Sequence, residues 1–92
     1  MFQLIFTPSY ERRLKKFIKK HPEIKKQYEK TIRLMEVDPF HPSLRLHPLS
    51  GRLKDLHSIS INLSYRISIE FIINKEQIIP VDIGTHGEVY DK

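Results

Sequence analysis

Residues 64–73 read Ser-Tyr-Arg-Ile-Ser-Ile-Glu-Phe-Ile-Ile. Every second side chain from Tyr65 to Ile73 is apolar, and Arg66, Ser68 and Glu70 stand between them. Successive side chains of a β-strand point to opposite faces, so this alternation predicts a strand with one buried face and one polar face. A helix would repeat its apolar positions every three to four residues instead.

Two further strands flank this one. The preceding strand is predicted over residues 53–61 and the following strand over residues 77–83, with a turn at residues 74–76. Pro80 cannot donate a hydrogen bond to a neighbouring strand, so it indicates an edge position or a bulge. Together the three strands predict an antiparallel meander.

Two amphipathic segments precede the meander. The first begins at Thr7-Pro8, because a hydroxyl can cap a helix and proline fits its first turn. It ends near Pro22, since proline disfavours helix in the residue before it. The second ends near residues 37–39. The apolar face of the first segment consists of Tyr10, Leu14, Phe17 and Ile18, and that of the second consists of Ile24, Tyr28, Thr31, Ile32 and Met35.

The order of the elements predicts an α+β fold. A short strand at residues 2–6 leads into the helical hairpin and then the meander, giving one mostly antiparallel sheet with the helices on one face. A chain of 92 residues supports one core, so we expect a single domain over residues 1–92. The other sheet face is expected to be uncovered and to hold a ligand site. It would present Ser58, Ser60, Arg66, Ser68, Glu70 and Asp82.

The charge of the chain is concentrated in one segment. Residues 11–37 carry ten basic and four acidic side chains, whereas the rest of the chain has six basic and seven acidic ones. Such a surface attracts polyanions or an acidic protein, or simply keeps the protein soluble. The chain has no cysteine, no segment like a signal peptide and no apolar run of membrane-spanning length. We therefore expect a cytoplasmic protein without membrane contact.

Three side chains near the C-terminus suit phosphate chemistry. Arg66 can clamp a phosphate with two hydrogen bonds, His86 can move a proton near neutral pH, and Tyr90 can stack on a base or donate a proton. The simpler readings are an ion pair of Arg66 with Glu70 or Asp82, a loop histidine without a role, and a tyrosine that packs the tail. An exposed ion pair contributes only about 0–1 kcal/mol, which is a weak reason for an arginine there.

A second group of candidates lies before the meander. His47 is a possible second proton-transfer residue, and Lys54, Arg52 and Arg45 are possible phosphate contacts. A histidine that fixes the loop and solvated basic side chains are equally good interpretations of this group. The five histidines show no metal-binding spacing, so we predict no metal.

Three motifs in order resemble the RelE/ParE toxin superfamily of bacterial type II toxin–antitoxin systems. Residues 47–54 are similar to its H-x-L-x-G-x-L-K pattern and Tyr65-Arg66-Ile67 to its Y-R-I/V strand. Residues 84–90 are similar to the G-T/S-H-x-x-V/L-Y/F ending of its RelE- and YafQ-like mRNA interferases. The resemblance covers nearly the whole chain.

This resemblance implies a ribosome-dependent endoribonuclease that cuts mRNA in the A site, with ribosomal RNA and a cognate antitoxin as further partners. The implied reaction is attack of the ribose 2′-OH on the adjacent phosphate, which uses no metal or cofactor. One departure matters, because the YafQ branch has a histidine and an aspartate where this chain has Ser60 and Ser64. The alternatives are a ParE-like inhibitor of DNA gyrase with the same fold, or a catalytically degenerate member.

Overall fold

The computed structural model describes residues 1–90, without the side chain of Tyr90. Its five strands are β1 Gln3–Leu4, β2 His47–Pro48, β3 His57–Ser60, β4 Tyr65–Ile72 and β5 Gln77–Thr85. Its three α-helices are α1 Pro8–Lys20, α2 Lys25–Val37 and α3 His86–Tyr90. Short 3₁₀ turns lie at Pro22–Ile24, Pro42–Leu44, Gly51–Leu53 and Ile73–Lys75. No helix in the described part of the chain is long and apolar enough to cross a membrane.

The strands form one sheet in the order β1-β5-β4-β3-β2. β1 is parallel to β5, and the other neighbours are antiparallel. This confirms the predicted α+β fold with its N-terminal strand, helical hairpin and meander. The strand with the clearest sequence pattern, β4, lies in the middle of the sheet. The edge strand β2 and the terminal helix α3 are additions to the predicted elements.

The start of α1 has the expected chemistry. The hydroxyl of Thr7 accepts a hydrogen bond from the backbone N–H of Tyr10 at 3.1 Å, and Pro8 is the first helical residue. Basic residues Lys19 and Lys20 occupy its last turn, where positive charge interacts favourably with the helix dipole. The chain then turns at Pro22, as predicted.

The core lies between the helices and one face of the sheet. Ile59, Ile67 and Ile69 contribute side chains with no exposed surface, and Tyr10 and Met35 meet them from the helices. Burying an aliphatic side chain of this size contributes about 1.5–3 kcal/mol. The predicted apolar faces of both helices and of β4 therefore account for most of the core.

Three predicted strands differ from the structure by two or more residues at one end. β3 begins at His57 rather than at residue 53, because Gly51 adopts a φ of 66° and starts a 3₁₀ turn. β1 covers only Gln3–Leu4. β5 continues two residues further than predicted, to Thr85. The expectation for Pro80 is confirmed, since the register of β4 and β5 is irregular at this point.

The expectation of an uncovered polar face is wrong. Ser58, Ser68 and Asp82 are each less than a tenth exposed. The helix α3 folds back over this face, and its residue Glu88 lies directly above Gly84 of β5. Val89 is buried at 3% exposure, outside the main core. The face is therefore a partly covered one, with polar groups in a sheltered site.

A buried pair of tyrosines predicts alkaline unfolding. The hydroxyls of Tyr10 and Tyr28 share a hydrogen bond of 2.9 Å. Burial raises the pKa of both phenols above the ordinary tyrosine value, and for Tyr10 the neighbouring Tyr28 and Asp82 add to the effect. Above about pH 10 the unfolded chain ionises these groups while the folded chain keeps them neutral, so stability falls as the pH rises.

We expect each tyrosine to lower the free energy of unfolding by up to about 1.4 kcal/mol per pH unit in that range. Urea unfolding between about pH 9 and pH 11 should therefore show a shallower pH dependence for the double variant Tyr10→Phe, Tyr28→Phe than for the wild type. Parallel curves for the two proteins would contradict the prediction.

Candidate functional site

Strand pairing places four polar residues in one row across the sheet. His47 of β2 is opposite Ser58, Ser58 is opposite Ser68, and Ser68 is opposite Asp82. Directly opposite residues have their side chains on the same face, with Cβ atoms about 4.5–5.5 Å apart. The row, called here the polar row, begins at the exposed His47 and ends at the buried Asp82.

Arg66 lies on the same face, two positions before Ser68. It is opposite Ser60 on one side and Gly84 on the other. Its Nη1 donates a hydrogen bond to Ser60 Oγ at 3.4 Å. Its Nε is buried and has no hydrogen-bond partner among the residues that the structure describes. An unmatched buried donor costs about 1–3 kcal/mol.

Among the described residues, Arg66 forms no ion pair with Asp82 or Glu70, the two acidic partners considered for it. Asp82 instead pairs with Arg13 of α1, with Nη1 and Oδ2 3.4 Å apart. It also accepts a hydrogen bond of 2.8 Å from the backbone N–H of Ile83. Glu70 is exposed. The guanidinium of Arg66 therefore keeps part of its hydrogen-bonding capacity for a ligand on this face.

His47 has a defined tautomer. Its Nδ1 lies 2.7 Å from the backbone carbonyl oxygen of Arg45. A carbonyl oxygen only accepts, so Nδ1 must carry the hydrogen. In the neutral ring the lone pair is then on Nε2. This arrangement suits a general base whose ring is held by the loop behind it.

His86 is placed by a capping box that the sequence reasoning missed. The backbone N–H of Glu88 donates to Thr85 Oγ1 at 3.3 Å, and that of Thr85 donates to Glu88 Oε1 at 2.9 Å. The spacing T-x-x-E at residues 85–88 is the signal for this motif. A Cβ at Gly84 would lie 3.0 Å from Glu88 Oε1, so glycine permits the close approach. His86 is exposed as the first residue of α3.

The remaining candidates are less closely gathered. Tyr90 ends α3, and its side chain lies outside the described residues. Arg52 and Lys54 are exposed in the loop between β2 and β3, and no described hydrogen bond or ion pair joins them to the polar row. Arg45 is exposed and adopts a φ of 50°, two residues before His47.

The structure thus brings His47 and Arg66 onto one sheet face. His86 lies just beyond the end of β5, the strand next to the one that carries Arg66. Ser60 joins them as a hydrogen-bonding partner of Arg66. The described residues contain no cluster of three or more His, Cys, Asp or Glu side chains that could hold a metal ion. The donor set offers a cation, imidazoles and hydroxyls, which together suit an anionic ligand.

No protein-family model and no curated protein matches this sequence. Solved structures do match its fold. YafQ from E. coli has a TM-score of 0.77 at 11% identity, covering 98% of this chain and 99% of that one. A metal-bound toxin from Helicobacter pylori has a TM-score of 0.76 at 21% identity, covering 98% and 100%. YafQ in the E. coli DinJ–YafQ toxin–antitoxin complex has a TM-score of 0.75 at 14% identity, covering 97% of each chain.

At identities this low, the structural likeness establishes the architecture alone. The activity has to be argued from the residues of the site. The solved structures confirm the fold implied by the three motifs: this chain has the fold of the RelE/YafQ-like toxins.

Proposed function

We propose that this protein is the toxin of a type II toxin–antitoxin system and cuts mRNA in the ribosomal A site as a metal-independent endoribonuclease. The observation that carries the proposal is the placement of Arg66, which lies on the same sheet face as His47 and forms no ion pair among the described residues. The shared fold with YafQ, which has been solved together with the antitoxin DinJ, supports an antitoxin partner. The proposed unit is one domain over residues 1–92, acting in the cytoplasm.

The proposed reaction is an internal transfer. The ribose 2′-OH attacks the adjacent phosphorus, the bond to the 5′ oxygen breaks, and the products are a 2′,3′-cyclic phosphate and a 5′-OH. Nε2 of His47 takes the 2′-OH proton, and His86 returns a proton to the leaving oxygen. The guanidinium of Arg66 donates two hydrogen bonds to the phosphate oxygens as negative charge builds on them.

The other candidates serve binding in this proposal. Tyr90 stacks on a base near the scissile bond, and Lys54, Arg52 and Arg45 contact flanking phosphates. The ten basic residues at positions 11–37 all lie in α1 and α2, and all are exposed. In this proposal they provide a surface for ribosomal RNA. Binding should therefore weaken steeply with salt, with a slope of about −0.7 per phosphate contact for single strands.

The test is cleavage of mRNA on programmed ribosomes, mapped by primer extension. We expect cuts within the A-site codon, and a loss of about 10²- to 10⁴-fold in rate for His47→Ala or His86→Ala with ribosome binding unchanged. His41→Ala is a matched control, because His41 is exposed and its side chain hydrogen-bonds to Ser43 of its own turn.

Two outcomes would overturn parts of the proposal. Full activity of His47→Ala would remove the base assignment and leave His86 as the proton-transfer residue. A folded wild type that cuts no mRNA would favour the gyrase inhibitor or the degenerate member, and a DNA supercoiling assay would separate these two.

A further inference from the structure

A cleft opens at the turn between β3 and β4, beside Ser60, the hydrogen-bond partner of Arg66. It has a volume of about 630 Å³, and Arg45, Ser60, Asn62 and Leu63 are among its lining residues. Ser60 connects it to the candidate site, because Ser60 Oγ accepts the hydrogen bond from Arg66 Nη1. A smaller cavity of about 90 Å³ shares Ser60 with this cleft and adds Lys30 of α2. We call the two together the turn cleft.

The turn cleft is positively charged. Its lining contains Arg45 and Lys30 and no carboxylate. The cleft of about 550 Å³ between α1 and α2 differs, since Glu11 and Glu29 offset Lys15 and Arg33 in its lining. In the cleft of about 440 Å³ beside β5, Asp82 and Glu88 oppose Arg13, Lys16 and Lys20. Charge complementarity therefore favours an anionic chain in the turn cleft over the other two.

Two features of the rim point to a ligand that is both charged and apolar. Arg45 holds a left-handed backbone conformation, which is unfavourable for a residue with a Cβ. Hydrogen bonds from its N–H to Pro42 O and from His47 to its own carbonyl oxygen maintain that conformation. Leu63 is 84% exposed at the tip of the opposite turn. A nucleotide has a phosphate that would contact Arg45 and a flat base that would contact Leu63.

The floor of the cleft is rigid. Ser60 donates from Oγ to the carbonyl oxygen of Asn62 at 2.9 Å, and Asn62 Oδ1 accepts the N–H groups of Ser64 and Tyr65, each at 2.8 Å. Gln27 of α2 donates to the carbonyl oxygen of Ile61 at 3.3 Å. The turn is therefore held in place before any ligand binds, which reduces the entropy cost of binding.

We propose that the turn cleft binds the nucleotide of single-stranded RNA next to the one held at Arg66, with Arg45 on its phosphate and Leu63 against its base. That the nucleotide held at Arg66 is the one that is cleaved rests on the proposed function. The binding itself does not, because it can be measured with RNA that cannot be cleaved.

The experiment uses a short labelled single-stranded RNA with 2′-O-methyl groups, titrated with the full-length protein over a range of salt concentrations. Arg45→Gln should weaken binding several-fold and reduce the salt slope by about 0.7, since one phosphate contact is lost. Leu63→Ser should weaken binding and leave the salt slope unchanged, because it removes only an apolar contact.

Matched controls lie at the far end of β4, roughly 25 Å away. Lys75→Gln makes the same change of charge, and Ile73→Ser removes an apolar side chain that is 60% exposed. Both controls should bind RNA like the wild type. Equal losses for the controls and the cleft variants, or a wild type that binds no RNA, would overturn the inference. The expected pattern together with a wild type that cuts no mRNA would keep the cleft and remove the nuclease.

Discussion

Replacement of Arg66 by alanine is expected to reduce mRNA cleavage on the ribosome by about 10²- to 10³-fold, the usual cost of removing a donor that stabilises transition-state charge. The reason is geometric. One arm of the guanidinium is held by Ser60 and no described carboxylate pairs with the group, so it is set in place for a phosphate. Single-turnover cleavage at saturating protein would measure the loss separately from binding.

The conservative variant Arg66→Lys distinguishes a fork of donors from a point charge. Lysine keeps the charge but cannot form two parallel hydrogen bonds, so we expect most of the loss to remain. Neither variant should lose much thermal stability, because Arg66 forms no ion pair among the described residues and its buried Nε is unmatched. Wild-type rates in Arg66→Lys would show that charge alone is sufficient, and wild-type rates in Arg66→Ala would remove Arg66 from the reaction.

The fold was predictable where local chemistry and periodicity agree. The alternation in β4 has one solution, and Thr7 and Pro8 mark the start of α1 without reference to the rest of the molecule. Pro80 indicated its bulge for a similarly local reason, the missing N–H. These features depend on neighbours in sequence, so one chain is enough to find them.

The exposure of the second sheet face was not predictable in that way. The alternation rule assigns Ser58, Ser68 and Asp82 to the polar face correctly, yet it cannot say what covers that face. Their burial depends on neighbouring elements such as α3, a helix of five residues that is too short to show an apolar period. Its start is encoded in the capping box of Thr85 and Glu88, which lie on either side of His86 in the sequence.

The candidate residues could be chosen from the sequence one at a time, but their arrangement could not. His47, Arg66 and His86 come from three motifs separated in sequence, and each was selected for its chemistry. Their placement depends on strand register, in which a slip of one residue would move every side chain to the opposite face. Only the pairing of His47 with Ser58 and of Ser60 with Arg66 shows that two of the three share a face.

Ile67→Ala is expected to lower the free energy of unfolding by about 2–5 kcal/mol, the usual cost of removing a buried aliphatic side chain and leaving a cavity. Ile67 has no exposed surface and lies at the centre of the sheet between Ile59 and Ile83. Urea unfolding would measure the loss. Ile73→Ala is the control, because Ile73 is 60% exposed and should cost little.

Ile67→Ala and Arg66→Ala change two consecutive residues of β4. Because neighbouring side chains of a strand point to opposite faces, one substitution should remove stability and the other should remove chemistry. Ile67→Ala that remains folded at low temperature should therefore cleave mRNA at a rate close to the wild type. A loss of cleavage in folded Ile67→Ala as large as in Arg66→Ala would mean that the polar face depends on the core behind it for its geometry. Catalysis would then be a property of the whole sheet, because packing behind β4 would set the position of Arg66.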